Sequence, residues 1–291
     1  MTHEVRMSGE DTQVAPATTR GRRRRQGPGR VARLTLPFVL PLVVVVIWEY
    51  VGQRGLIANG LFPSASKSVL ALVDWVTGTG SVQSLYSGTW LQNAWASILR
   101  ILSGYAIGGV LGVMFGMFAG ISTVMRRLID PTVNALRPVS VTAWIPLALI
   151  LFGIGAAPAI FLTSLATFFP VYINTLSGVR YADGRLVRAA RMLGADRRQV
   201  VTRVILPAAL PSIAVGMRIG VAVAWTTVVV AEILGAKSGL GYVLIDSYNQ
   251  FRFDYIIACM FSIGALGFLT DKLIEILFER RLKWVIRGGQ I

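Results

Sequence analysis

Long apolar segments separated by short polar stretches are the feature that most constrains how this 291-residue chain can fold. A helix needs roughly 17 to 25 predominantly apolar residues to cross a bilayer. Only 15% of the residues are charged, against about a quarter in soluble domains. The sequence therefore predicts an all-α polytopic membrane protein of about six transmembrane helices, at residues 34–51, 95–120, 139–156, 158–179, 212–234 and 254–278.

Basic residues are distributed unevenly between the two sides of this predicted membrane domain. Of the 29 lysines and arginines, 22 lie in segments 1–33, 121–138, 180–203 and 280–291, and four lie in the loops of the opposite side. Cytoplasmic loops carry the excess of positive charge, so we expect both termini in the cytoplasm. The net charge of +15 then reflects topology, and no nucleic-acid partner is needed to explain it.

The predicted domain organisation follows the same division. Residues 1–30 are polar and arginine-rich, and we expect a disordered basic cytoplasmic tail there. Residues 31–285 form the predicted transmembrane domain, with a cytoplasmic connector at 181–211. Residues 286–291 form a short cytoplasmic C-terminal tail.

The rarity of catalytic side chains argues against most enzyme classes. The chain has one histidine, His3, and one cysteine, Cys259, so we expect neither histidine catalysis nor a metal site. No GxxxxGK[ST] phosphate-binding loop is present. Acidic residues at helical spacing occur near the end of the last segment, where they alternate with basic residues and indicate a solvated helix face (Asp271, Glu275, Glu279). A membrane-embedded enzyme remains an alternative, as does a self-contained channel or secondary transporter, although we find no convincing internal repeat.

Five glycines recur at intervals of four in the segment 95–120: Gly104, Gly108, Gly112, Gly116 and Gly120. Four residues advance a helix by slightly more than one turn, so these glycines form one groove that allows a second helix to approach closely. The pattern predicts tight helix packing. It leaves open whether the partner helix belongs to this chain or to another subunit.

The connector between the fourth and fifth apolar segments predicts two short helices separated by a glycine turn. Asp183 can cap the first helix, and Gly194 follows its last apolar residue, where a left-handed residue commonly ends a helix. Pro207 and Pro211 are expected to end the second helix. An exposed apolar stripe there would suit a docked partner protein, an amphipathic loop packed on its own membrane domain, or, least well, a DNA-binding helix-turn-helix.

The connector resembles the "EAA" loop in permease subunits of binding-protein-dependent ABC importers. The similarity rests on the spacing of the residues that we assign to ATPase coupling: Arg188, Ala189, Ala190, Gly194, Leu206 and Pro207. Arg188 replaces the glutamate that names the motif, which puts in doubt any salt bridge that the glutamate would make. Further motifs resemble the nitrate, sulfonate and taurine branch of these permeases, at residues 61–64, 100–104, 143–146, 168–174 and 238–242.

This resemblance implies a MetI-like helical fold and a homodimer that works with two cytoplasmic ATPase subunits and an extracytoplasmic solute-binding protein. It implies transport of a small, anionic solute of the sulfonate, taurine or nitrate type, with ATP hydrolysis on the partner and no cofactor on this chain. The solute itself stays open, because the binding protein sets most of the selectivity in such importers.

Polar side chains within the apolar segments are the candidates for lining a translocation path: Thr167, Asn174, Arg218, Trp225 and Glu232. A charge at membrane depth costs roughly 2.5–3.5 kcal/mol on insertion scales, so it needs a partner or a water-filled cavity. Arg100, Arg218, Glu232 and Asp271 therefore have two interpretations, as path-lining groups or as interfacial anchors and helix-orienting pairs.

Overall fold

The computed structural model describes residues 30–57, 61–79 and 84–288. These ranges contain helices and turns but no β-strand, which confirms the all-α prediction. All but the last residue of the predicted tail, 1–30, and the last three residues of the chain lie outside the described ranges. The helices are α1 (Arg30–Arg54), α2 (Ala65–Thr77), α3 (Trp90–Ile121), α4 (Thr123–Leu136), α5 (Ile145–Phe152), α6 (Ala156–Arg180), α7 (Gly184–Met192), α8 (Arg197–Val200), α9 (Leu206–Gly235), α10 (Leu240–Asn249) and α11 (Phe253–Gly288).

Four of the described helical segments are long and apolar enough to cross a membrane unaided: Trp90–Ile121, Ala156–Arg180, Arg197–Gly235 and Phe253–Phe278. A bent pair formed by α4 and the segment Val141–Phe152 gives a fifth. The remaining predicted segment, 34–51, lies within α1, and its crossing stays a prediction. The chain divides into two compact units between Ile47 and Trp48. Everything described below belongs to the second unit.

The third predicted span, 139–156, is wrong as a straight helix. A 3₁₀ turn at Val141–Trp144 and the eight-residue α5 replace it, at 91° to α4. Pro138 lies in the break between α4 and the 3₁₀ turn, directly after Arg137, which still has helical backbone angles, and Gly153, with φ of +72°, ends α5. In place of one straight helix, α4 and the segment Val141–Phe152 form a bent pair.

The predicted end of the second connector helix at Pro207 is also wrong. The helix continues from Arg197 to Gly235 through a π-helical stretch, Val201–Ile205, in which the amide of Leu206 donates to the carbonyl of Val201. Pro207 lies in the first turn of α9, where the missing N–H is tolerated. The connector is thus joined to the fifth predicted span without a break.

Between the last two predicted spans, the segment 235–253 contains the ten-residue helix α10. Between the first two predicted spans lies α2, which Ser64 caps through its side chain. One face of α2 is buried, including Asp74 and Trp75, so this helix packs into the protein rather than lying free on its surface.

Helix α6 occupies the centre of the helical bundle. It packs parallel to α3, because the contacts of Gly104 with Thr163 and of Gly120 with Val179 advance together along both helices. Helix α9 packs antiparallel on α6, with Gly220 against Thr167 at one end of the contact and Ser212 against Gly178 at the other. The main apolar core extends from these three helices to α2, α5, α10 and α11.

Candidate functional site

The glycine groove on α3 is filled by β-branched side chains of α6. A Cβ added at Gly104 would lie 2.6 Å from Thr163 Cβ, one at Gly112 2.8 Å from Val171 Cβ, and one at Gly116 2.7 Å from Thr175 Cβ. The α6 residues also recur at intervals of four: Thr163, Thr167, Val171, Thr175 and Val179. The partner of the groove is therefore a helix of the same chain, and any side chain at these glycines would force the two helices apart.

A buried ion pair joins α3 to the end of α9. Arg100 Nη1 lies 2.6 Å from Glu232 Oε1, and the exposed fractions of the two side chains are 8% and 0%. The same guanidinium donates to the carbonyl and the hydroxyl of Ser238 at 2.6 and 2.8 Å. Ser97 Oγ donates to the carboxylate at 2.8 Å. Both charges are thus neutralised and hydrogen-bonded inside the protein, as a buried pair requires.

The same network holds the start of α10. The amides of Leu240 and Gly241 donate to Ser97 Oγ and Glu232 Oε2 at 2.9 and 3.0 Å. Gly239, with φ of +114°, donates to Asn93 Oδ1 at 2.9 Å. A carboxylate is favoured at a helix N-terminus because the unpaired amides there carry partial positive charge. The network therefore connects α3, α9 and α10 through side chains and backbone amides.

A second polar cluster ties α2 to α10 and α11. The Asp74 carboxylate accepts hydrogen bonds from the hydroxyls of Tyr255 and Ser87. Tyr86, in the loop before α3, donates to Asp246 on α10. Burial, reinforced by the hydrogen bond to Asp246, raises the pKa of Tyr86 well above its ordinary value, so the hydroxyl stays a donor. This cluster fixes α2 against the bundle.

A charged cluster lies between α9 and α11 within the apolar helices. Arg218 Nη2 lies 3.2 Å from Asp271 Oδ2 and 2.9 Å from Glu275 Oε2, and Lys272 Nζ lies 2.9 Å from the same Glu275 oxygen. The Arg218 side chain is 50% exposed. The prediction that Asp271 and Glu275 form a solvated face missed their role as the partners of Arg218.

A cavity of about 250 Å³ opens where the third predicted span is bent. Residues of the 3₁₀ segment, α5, α6 and α9 line it, and hydroxyls supply the polar part of its wall: Ser140, Thr142, Thr226 and Thr227. The Thr226 hydroxyl bonds back to the carbonyl of Val223, and those of Ser140 and Thr142 bond to each other. The Thr227 hydroxyl has no hydrogen-bond partner among the residues that the structure describes. The cavity is therefore mainly apolar and carries hydroxyls that can receive a polar solute.

The structure distributes the predicted path residues over separate environments. Thr167 and Glu232 are fully buried, so in this structure both belong to helix packing and neither lines an accessible surface. Asn174 donates to the carbonyl of Pro170 on its own helix, and Trp225 donates to Thr270 Oγ1 at 2.7 Å. Only Arg218 is substantially exposed. The wall of the cavity contains none of the five.

Sequence reasoning missed the serine and asparagine residues of the buried network. Asn93, Ser97 and Arg100 lie at i, i+4 and i+7 on α3, a polar row on an otherwise apolar helix. That row was a usable signal for a buried polar contact. Its partners Glu232 and Ser238 are more than 130 positions away, and local patterning alone carries no information about that pairing.

The connector forms a compact turn of two capped helices. Asp183 Oδ1 accepts from the amide of Arg185, and Gly194 takes φ of +83° after α7, which confirms the predicted glycine turn. Asp196 and Gln199 form a capping box at the start of α8. Helix α7 packs against the π-helical segment, and its residues Val187 and Ala190 are half-buried.

The rest of the connector surface is exposed and both apolar and basic. Met192 and Leu193 are 86% and 88% exposed, and Leu186 on the same helix is also exposed. Arg188 and Ala189 are exposed, while Leu206 and Pro207 are half-buried at the start of α9. A large apolar surface beside a rigid turn is typical of an interaction site.

Comparison with known proteins gives consistent matches. The family model of the binding-protein-dependent transport system inner membrane component matches residues 112–283. The taurine transport system permease protein TauC of Escherichia coli is 34% identical over 252 residues, covering 87% of this chain and 90% of TauC. The bicarbonate transport system permease protein CmpB of Synechococcus elongatus is 29% identical over 260 residues, covering 88% of this chain and 90% of CmpB.

Among solved structures, the chain is similar to one from the inward-facing MetNI methionine ABC transporter. The TM-score is 0.54 at 21% identity, over 67% of this chain and 95% of the other. At that identity the match shows the fold, and it confirms the expected MetI-like arrangement of helices.

Proposed function

This chain belongs to the family of binding-protein-dependent transport system inner membrane components, and we propose that it forms the translocation path for a small anionic solute and couples it to a cytoplasmic ATPase. The chain is an ABC importer permease subunit and not an enzyme, since its relatives are permeases whose ATP is hydrolysed by a separate subunit. The proposal of an anionic solute follows from relatives that are named for taurine and bicarbonate transport.

The continuous helix from Arg197 to Gly235 is the observation that carries the proposal. At 1.5 Å per residue it extends roughly 60 Å. It begins in the exposed connector, passes Thr226 and Thr227 at the cavity, and ends at the Glu232 network. A displacement of the connector by a docked ATPase therefore reaches the cavity through one rigid element.

The cavity at the bent span supports a passage for a small oxyanion. Its hydroxyls can donate to sulfonate, nitrate or carboxylate oxygens, and its apolar wall excludes water from the remaining surface. Its volume of about 250 Å³ exceeds that of such a solute. Arg218, half exposed between α9 and α11, adds a cationic group within the apolar region. Thr167, Asn174, Trp225 and Glu232 act in this scheme by holding the helices that form the passage.

The proposed assembly is a homodimer of this chain with two ATPase subunits and an extracytoplasmic solute-binding protein. The connector and both termini face the cytoplasm in this arrangement, as the distribution of basic residues favours. The residues proposed to engage the ATPase are Arg188, Ala189, Ala190 and Gly194 on the turn, with Leu206 and Pro207 joining it to α9.

The test is Gly194→Asp, with Gly184→Asp as the matched control. A Cβ at either glycine meets open space, so neither change creates a clash within this chain. Gly194 alone has a positive φ and lies at the turn, whereas Gly184 begins α7, where an acidic residue is favoured. We expect Gly194→Asp to be inserted at normal levels but to lose solute uptake and ATPase co-purification, while Gly184→Asp keeps both.

Wild-type uptake and ATPase recovery in the Gly194→Asp variant, at equal protein levels, would rule out coupling through this turn. Failure of the wild-type chain to co-purify any ATPase from its native membrane would rule out the assembly as a whole.

A further inference from the structure

We infer that the ATPase groove that receives α7 is lined by acidic side chains and that Arg188 and Arg185 form ion pairs with them. This inference rests on the proposed docking of the connector to an ATPase and specifies the chemistry of the partner surface. It concerns the position at which the resembling permeases carry a glutamate and this chain carries Arg188.

The charges of the connector are almost all of one sign and lack partners of their own. Seven arginines lie between positions 180 and 203: Arg180, Arg185, Arg188, Arg191, Arg197, Arg198 and Arg203. None of their side chains has an ion pair or hydrogen bond within the described parts of the chain. The two acidic residues of the same segment, Asp183 and Asp196, are both occupied as helix caps. The connector therefore presents a positive surface that its own residues do not neutralise.

The arrangement around α7 places these charges next to an exposed apolar strip. Successive residues of an α-helix are rotated by about 100°, which puts Leu186, Ala189 and Leu193 on one line. Arg185 and Arg188 lie on the neighbouring side with Met192, and all six residues are exposed. Val187 and Ala190, on the opposite side, are half-buried. The free surface is an apolar strip bordered by arginines, and its complement is an apolar groove with an acidic rim.

A protein groove fits this surface better than a lipid surface does. Helix α7 has nine residues, fewer than three turns, so it offers little apolar area to a membrane interface, where binding strength scales with the apolar area buried. Met192 projects on the arginine side of α7, so the apolar and basic residues are not separated into the two faces that a bilayer interface requires. The glycine turn and the capping box also hold the surface in one shape, which suits a shaped partner.

The charge pattern predicts a strongly salt-dependent complex. Ionic screening shortens the reach of exposed charges from about 10 Å at 0.1 M salt to about 3 Å at 1 M. Opposite charges across an interface mainly set specificity and the rate of association. An acidic groove that accepts Arg188 would repel a glutamate at that position, so the inference distinguishes this chain from permeases that carry the motif glutamate.

The experiment measures binding of the co-purified ATPase to the detergent-solubilised full chain, without added lipid, at 50 and 500 mM KCl. The variants are Arg188→Glu, Arg185→Glu and Arg188→Lys. Lys67→Glu is the control, because Lys67 is exposed on α2, outside the connector, and the substitution changes the net charge equally. We expect affinity to fall about tenfold or more with salt and with either glutamate variant, while Arg188→Lys and Lys67→Glu stay within about twofold of wild type.

The inference is overturned if Arg188→Glu binds the ATPase as well as wild type or better, or if salt leaves the affinity unchanged. In these cases a wild-type complex that still depends on Gly194 would preserve the proposed coupling. If the wild-type chain binds no ATPase, the coupling itself fails and the inference fails with it.

Discussion

Helix α9 takes part in two ion-paired sites that differ in almost every physical respect. Near its end, Glu232 meets Arg100 with side-chain exposures of 0% and 8%, and near its middle Arg218 meets Asp271 and Glu275 with 50% of its side chain exposed. Both sites involve charges within apolar helices. The comparison teaches that charges within apolar helices occur in two different environments, which exposure distinguishes and sequence position does not.

The buried pair is a structural connection. Its carboxylate also accepts from Ser97 and Gly241, so each polar atom around it has a partner and no accessible surface remains for a solute. The exposed cluster has a balanced set of charges, with Arg218 and Lys272 opposite Asp271 and Glu275. An accessible guanidinium of this kind can exchange one oxygen partner for another, which a passing anion would provide.

The largest expected effect comes from Arg100→Met. Removing one partner leaves the Glu232 charge buried and unpaired, which costs about 3–5 kcal/mol in comparable cases. We expect a large fall in the thermal midpoint and in the amount of folded protein, measured in detergent by fluorescence-detected chromatography after heating. The double variant Arg100→Met/Glu232→Gln removes both charges and keeps an acceptor for Gly241, so it should recover most of the loss. A double variant as unstable as the single one would contradict the ion-pair explanation.

Ser97→Ala should have an intermediate effect. The hydroxyl donates to Glu232 and accepts from the amide of Leu240, so its removal leaves that amide without its acceptor inside the protein. A buried group left unsatisfied costs about 1–3 kcal/mol. Ser164→Ala is the matched control, because the Ser164 hydroxyl bonds only to the carbonyl of Phe161 on its own helix. Equal shifts of the thermal midpoint in the two variants would show that the Ser97 network adds nothing to stability.

Arg218→Met should have the smallest effect on stability. Half of its side chain is already exposed, and pairs between accessible charges contribute little. We expect a thermal midpoint close to that of wild type, together with reduced uptake of the anionic solute in reconstituted vesicles, and Arg218→Lys should retain more uptake. A loss of stability similar to that of Arg100→Met would remove the distinction between the two pairs.

Several elements could be predicted from the sequence because their causes are local. The glycine spacing on α3 indicated a close helix contact, and Asp183 and Gly194 indicated the limits of α7. Apolar length indicated the spans Trp90–Ile121, Ala156–Arg180 and Phe253–Phe278 to within a few residues. Each of these features depends on the residues of one contiguous segment, so the sequence of that segment is enough to predict it.

The wrong predictions concern places where the packing of distant segments decides the backbone conformation. Pro207 was expected to end a helix, yet a π-helical stretch before it lets the helix continue into α9. The segment 139–156 is apolar enough to span a membrane, but the helix breaks around Pro138 and ends before Gly153, so the segment forms the second half of a bent pair with α4. A proline removes one donor and fixes one angle, and the surrounding structure decides whether the chain bends, breaks or continues.

The sequence by itself determined an all-helical membrane protein, a glycine groove on α3 and a connector in which a capped helix is followed by a glycine turn, because periodicity, apolar length and capping are properties of contiguous residues. Only the tertiary structure decided that α6 fills the groove with its own row of β-branched residues and that Arg100 pairs with Glu232, 132 positions away. It also decided which charges are buried and which are exposed. The physical reason is that burial and long-range pairing depend on how separate helices meet, and that is not encoded in the pattern of any one of them.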